Sequence, residues 1–253
     1  MTLASLVIFA AGIAAGAINS IAGGGTLISF PALLWAGRDP IVANATNTVA
    51  MWPGSLAGAY GFRNELKTVR GWLLLLIVPS LLGGALGSWL LLRTPSSVFE
   101  RLVPFLILGA TLLLAAQEMI TRRLGVLAHA HENPTRGWVA FVFLFQLLVG
   151  TYGGYFGAGM GILMLAALGL IGLTDLHQMN GLKNVLAVAI NGIAAIYFVF
   201  ANAVVWRDVL VMTAGTILGG YLGARVARRL GRKFVRVAVV VIGLFMTIAL
   251  FLK

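Results

Sequence analysis

Five asparagines and one lysine sit in stretches otherwise suited to lipid. Asn44 and Asn47 belong to NATNTVA (44–50), and Asn180, Lys183, Asn184 and Asn191 to MNGLKNVLAVAIN (179–191). Polar side chains are costly in hydrocarbon and persist where they face a partner or a wet cavity. Spacings of three, one and seven place the second group on one helical face. Such a face offers amide and ammonium donors, the chemistry that holds a small anion. The other use of these asparagines is hydrogen bonding between helices. Lys183 falls within a span, about one turn into its helix. It either turns its ammonium to an anion or snorkels to the interface.

A second set of candidates interrupts GAINSIAGGGTLISFPALL (16–34) with Asn19, Ser20 and Gly23-Gly24-Gly25. Glycine inside a helix costs about 1 kcal/mol relative to alanine, so three together predict that the helix stops. In lipid a stopped helix frees backbone groups that need partners. Free N–H groups at the start of the next half-helix attract anions, helped by its dipole. Gly23, Gly24 and Gly25 let a ligand approach the backbone, and Thr26 is placed to cap or to donate a hydroxyl. Gly157, Gly159 and Gly161 in GTYGGYFGAGMGI (150–162) offer the same in the second half. The expected substrate-binding set is therefore Asn19, Gly23, Gly24, Gly25, Thr26, Asn44, Asn47, Gly157, Gly159, Asn180, Lys183 and Asn184. The competing use of glycine is close helix packing, to which Gly83, Gly84 and Gly87 and Gly219, Gly220 and Gly223 are assigned.

Other chemistries find little support. With no cysteine there is neither thiol chemistry nor a Cys-ligated metal. His129 and His131 lie in the central polar stretch and His177 beside a span, so no metal site, no cofactor and no nucleophile–base pair for hydrolysis is expected. No GxxxxGK[ST] sequence is present. GYFGAGMG has the glycines of a dinucleotide loop but no strand before it.

The elements that must position these residues are membrane helices. The chain is 60% hydrophobic and 10% charged, with a mean hydropathy of +0.99, against roughly 25% charged residues in soluble domains. Continuous apolar runs such as 71–92 and 235–252 are long enough to cross a bilayer as helices and lack the alternation of barrel strands. The expected spans are 3–36 (broken), 44–62, 70–92, 100–121, 137–171 (broken), 179–200, 209–229 and 234–252. The net charge of +11 lies mostly in short loops, a topology signal rather than a sign of nucleic acid. MTLASLVIFAAG lacks a basic leader region and reads as retained structure.

The polar stretch TRRLGVLAHAHENPTRG (121–137) divides the chain into two matching parts. GAINSIAGGGTLI (16–28) aligns to GTYGGYFGAGMGI (150–162), LLGGALGS (81–88) to ILGGYLGA (217–224), and Asn47 and Tyr60 to Asn184 and Tyr197. This ordering predicts a first transmembrane repeat at 1–123, a cytoplasmic connecting loop at 124–136 and a second repeat at 137–253. RVARRLGRKFVR (225–236), with six basic residues, and the 121–137 stretch should both be cytoplasmic. They share a side if 137–171 is a re-entrant hairpin. The resulting fold is an all-α, polytopic helical membrane protein. Its two repeats are inverted, each with a broken, glycine-rich segment plus three transmembrane helices. The alternative is that the first arm of each broken segment spans fully.

AGAINSIAGGGTLISFPALLWAG followed by ATNTVA resembles the signature of the TauE/SafE family of sulfite exporters. GGYFGAGMGILMLAALGL followed by NGLKNVLA resembles that family's second repeat. The resemblance covers essentially the whole chain. It implies a multi-pass permease of the bacterial or archaeal inner membrane for small anions such as sulfite, sulfonates or sulfoacetate. It further implies a secondary transporter, in many members an exporter. The partners implied are a small anionic substrate and the lipid bilayer, with an oligomer allowed but not implied. An anion channel or a permease for another small organic anion is the alternative.

Overall fold

The computed structural model describes residues 2–21, 24–61, 69–128, 136–170, 173, 175–230 and 232–252. Among them are ten helices and no strand: α1 (Leu3–Ile21), α2 (Thr26–Trp35), α3 (Pro40–Gly61), α4 (Arg70–Arg93), α5 (Ser96–Ala128), α6 (Arg136–Tyr155), α7 (Met160–Leu170), α8 (Leu176–Phe200), α9 (Trp206–Leu230) and α10 (Arg232–Phe251). Four stretches within them are long and apolar enough to cross a membrane: Arg70–Arg93, Ser96–Ile120, Arg136–Tyr155 and Gln178–Phe200. Large apolar side chains such as Leu74, Leu82, Phe105, Leu144, Leu148 and Phe245 stand exposed on the outside of the bundle. That many would be untenable in water but suits lipid. The chain is a multi-pass helical membrane protein.

Both expected breaks occur. α1 stops at Ile21 and α2 starts at Thr26, with Gly24 at φ +99° between them. α6 stops at Tyr155 and α7 starts at Met160, with Gly157 at φ +77° and Gly159 at φ +75°. A Cβ is strained in this left-handed region, so the turns require glycine. The ends of the first broken segment lie together. Arg207 donates to Ser5 Oγ near the start of α1, and Arg38 just beyond α2 pairs with Asp208 at 2.6 Å.

Lipid tails are as apolar as leucine, so helices in a membrane associate through close packing rather than through escape from water. Here the packing runs through glycine seams. A methyl added at Gly12 of α1 would lie 2.7 Å from the Met212 carbonyl of α9, and methyls at Gly16 and Gly219 would overlap the carbonyls of Thr216 and Ile13. Between α4 and α6, a methyl at Gly83 would lie 2.5 Å from the Leu147 carbonyl, and one at Gly87 would overlap that of Thr151. The packing role expected of Gly83, Gly84, Gly87 and Gly219 holds. Gly220 has open space in front of its own Cβ direction, although its nitrogen lines the Gly16 contact. The side-chain surroundings of Gly223 lie outside the described residues.

The bundle's interior divides into two apolar clusters, one around each short arm. Phe30 and Leu33 of α2 pack with Phe99, Ile107, Phe156 and Phe198, and Phe30 meets Phe156 edge to face at 5.4 Å. Met164 and Leu168 of α7 pack with Leu76, Val142, Leu182 and Leu186. Phe156 lies in the second turn, so the second hairpin reaches into the cluster of the first.

Several helices begin earlier than the hydropathy predicts, because their first turns are polar. Asp39 Oδ1 accepts from the N–H groups of Ile41 (2.9 Å) and Val42 (3.3 Å), which starts α3 at Pro40 rather than at 44. Side-chain capping of this kind is invisible to an apolar window. Asp175 performs the same service for α8 through the N–H of Gln178. α5 continues through Ala128 and so enters the segment expected as a connecting loop.

Candidate functional site

The expected site residues assemble into two clusters, not one. α3 and α8 cross where the Trp52 indole N–H donates to the Val188 carbonyl at 3.1 Å. Beyond the end of α8, the Val205 N–H donates to Thr46 Oγ1 at 3.1 Å. The two helices therefore run antiparallel. Asn47 and Lys183 lie about five residues to opposite sides of the crossing, which at 1.5 Å of rise per residue separates them by roughly 15 Å along the bundle.

The first cluster contains Lys183. Its ammonium donates to Asn180 Oδ1 at 3.0 Å, as expected for residues three apart on one face. Among the described residues no carboxylate pairs with it. Its stem lies against Gly161, where a Cβ would be 3.4 Å from Lys183 Cδ. Gly161 is in the first turn of α7, where helix N–H groups are naturally left over. The Met160 N–H is taken by the Gly157 carbonyl and the Ile162 N–H by that of Gly159, whereas no backbone acceptor among the described residues takes the Gly161 N–H. The stem of a lysine thus lies against the first turn of α7, the positive end of that helix. Asn184 follows Lys183 with a half-buried side chain.

The second cluster contains Asn44 and Asn47, which are 0% and 2% exposed. Asn44 Nδ2 donates to the Tyr155 carbonyl at 2.9 Å, at the last residue of α6. Among the described residues, Asn44 Oδ1 and Asn47 Oδ1 have no hydrogen-bond partner. A buried amide acceptor without a donor costs about 1–3 kcal/mol, so two on one helical turn need an explanation. Met51, the next residue on this stripe, brings its Cε within 3.1 Å of the Cβ position of Gly25. The stripe therefore runs from one broken segment to the other.

The remaining expected residues are scattered. Asn19 is exposed on the last turn of α1, and Gly23 lies outside the described residues. Gly24 and Gly25 form the first turn, and a methyl at Gly25 would overlap the Ala15 carbonyl, so α2 starts beside α1 nearly two turns before that helix ends. Thr26 is not a cap: the N-cap position is Gly25, which makes no side-chain cap bond. Two aromatic residues had no place in the sequence-based set. Tyr152 donates its hydroxyl to the Ala158 carbonyl at 2.5 Å, strapping the second turn, and Trp52 stands between the two clusters. Their only signal was an aromatic side chain inside a glycine- or asparagine-rich stretch.

Comparison with known proteins bears on the whole chain. The family model described as sulfite exporter TauE/SafE matches residues 8–250. A Haemophilus influenzae protein described as "Probable membrane transporter protein" is 33% identical over 244 residues, covering 95% of this chain and 92% of its own. A Sinorhizobium protein, "Probable membrane transporter protein ORF9", is 30% identical over 254 residues, covering 96% and 90%. "Probable membrane transporter protein YfcA" of Escherichia coli K12 is 28% identical over 243 residues, covering 95% and 87%. No solved structure matches the chain. With nearly its full length matched, this transporter chain belongs to the TauE/SafE sulfite exporter family.

Proposed function

We propose that the chain is a secondary transporter that exports small sulfur-containing or organic anions, such as sulfite, sulfonates or sulfoacetate, across a bacterial or archaeal inner membrane. The observation that carries this reading is Lys183 beside the Gly161 turn. A lysine side chain packs on the positive end of a helix, and the described residues supply no carboxylate to neutralise either. An anion resolves that arrangement, held by the ammonium, the free Gly161 N–H and neighbouring amides. Gly157 and Gly159 open the turn to it, and Asn180 and Asn184 line its approach.

An inverted two-repeat architecture fits the contacts. α1 packs on α9 as α6 packs on α4, and α3 meets α8 as α5 meets α10. Gly219 abuts the Ile13 carbonyl and Gly83 that of Leu147, equivalent pairs when the two halves are aligned. The open ends of the first hairpin lie beside the start of α9, and those of the second beside the starts of α4 and α8. Hairpins entering from opposite ends are what inversion requires.

The test is sulfite flux in proteoliposomes. Saturable sulfite movement against its own gradient, driven by a second gradient, is expected. Movement only down the gradient would identify an anion channel instead, and absence of response to any oxyanion would remove the anion reading.

A further inference from the structure

The second cluster has the opposite polarity from the first, and we infer that Asn44 and Asn47 form a binding site for an alkali cation such as Na⁺ or K⁺. The unpartnered atoms are acceptors. Asn44 is fixed in orientation because its Nδ2 donates to the Tyr155 carbonyl at 2.9 Å, which leaves Oδ1 as the free atom. Asn47 Oδ1 lies three residues on along the same helical face and is equally without a donor. Both side chains are essentially sealed from solvent, at 0% and 2% exposure.

The field at this point also favours a cation. Tyr155 is the last residue of α6, so Asn44 sits at the negative end of that helix, with Asn47 one turn further along α3. Interrupted helices in transporters place such ends against alkali cations. The donors are neutral amide oxygens, and no group of three or more His, Cys, Asp or Glu residues occurs among the described residues. Neutral oxygen ligands suit a monovalent ion and lack the charge that a divalent ion demands. The sequence, through its amide and ammonium donors, points to an anion and not Na⁺ as the stabilising ligand. The unpartnered oxygens of Asn44 and Asn47 add a cation to that reading and place cation and anion sites on opposite sides of Trp52.

The site can be tested without any anion substrate, so its failure is separate from failure of the sulfite reading. The purified full-length protein is melted in choline chloride and in mixtures where NaCl or KCl replaces choline at constant ionic strength. A saturable rise in melting temperature with Na⁺ or K⁺, lost in Asn47→Ala and enlarged in Asn47→Asp, is expected. Asn47 is the better position because Asn44 also ties α3 to α6. Identical melting of the wild type in all three salts overturns the site, as does a full response retained in Asn47→Ala. If Asn47→Ala does not fold, an unchanged ion response in Asn47→Asp overturns it.

Discussion

Removing the Lys183 ammonium tests the anion site most directly. The side chain is half-buried, its hydrogen-bond partner Asn180 is neutral, and its stem rests on Gly161. An anion about 4 Å from the ammonium would gain roughly 4 kcal/mol of Coulomb energy at an effective dielectric of about 20. Loss of water from both groups takes back part of that, leaving a charge-assisted contact worth about 1.5–3 kcal/mol. The expected effect of Lys183→Ala is therefore roughly tenfold to more than a hundredfold weaker sulfite affinity. Alanine also removes the stem from Gly161, so Lys183→Met, which keeps most of the stem, separates packing from charge. Lys183→Arg restores function only in part, because a planar guanidinium does not reproduce a compact ammonium. Sulfite-dependent flux in proteoliposomes gives the functional readout, and the melting temperature without ligand shows that the variants are folded. Normal sulfite transport by Lys183→Gln would refute the reasoning and leave Lys183 as a snorkelling residue.

Three further outcomes are expected. The chain has no cysteine, so single substitutions report topology: Gly125→Cys and Gly231→Cys should label from the cytoplasm, and Pro95→Cys and Ala201→Cys from outside. Labelling of 125 and 231 from opposite sides would eliminate the hairpin arrangement. Sulfite or a short sulfonate should raise the melting temperature through binding to the folded state, and saturable transport of a cation as the sole substrate, without any oxyanion response, would overturn the anion assignment. Gly83→Ala forces a methyl to 2.5 Å from the Leu147 carbonyl and should destabilise by about 1–3 kcal/mol, whereas Gly109→Ala, inside α5 with nothing within 4 Å, should melt at or slightly above the wild type.

The breaks were legible because consecutive glycines are expensive in a helix wherever they occur, and the turns at Gly24, Gly157 and Gly159 use the backbone freedom that only glycine has. The pairing of Asn180 with Lys183 was legible from spacing alone. The division of the polar residues into two clusters was not. It depends on α3 and α8 running antiparallel through the Trp52–Val188 contact, a tertiary fact with no local signature. The role of Asn44 was hidden for the same reason, since its partner is a backbone carbonyl far along the chain. Thr26 misled because a hydroxyl beside a glycine run looks like a cap, while the helix begins one residue earlier in hydrogen-bonding terms.

The glycine seams also impose an order on biogenesis. The groove on α1 at Gly12 and Gly16 is filled by α9, near the far end of the chain, while the groove on α4 is filled by α6. At about 5–20 residues per second of synthesis, the partner of α1 emerges roughly 10–40 s after α1 itself. During that interval α1 offers the membrane a stripe of small residues with no protein partner, and any chain cut short before α9 keeps it. Truncated chains therefore differ from finished ones by an uncovered stripe of small residues on α1. Separately synthesised halves, in turn, carry complementary seams through which to find each other in the bilayer.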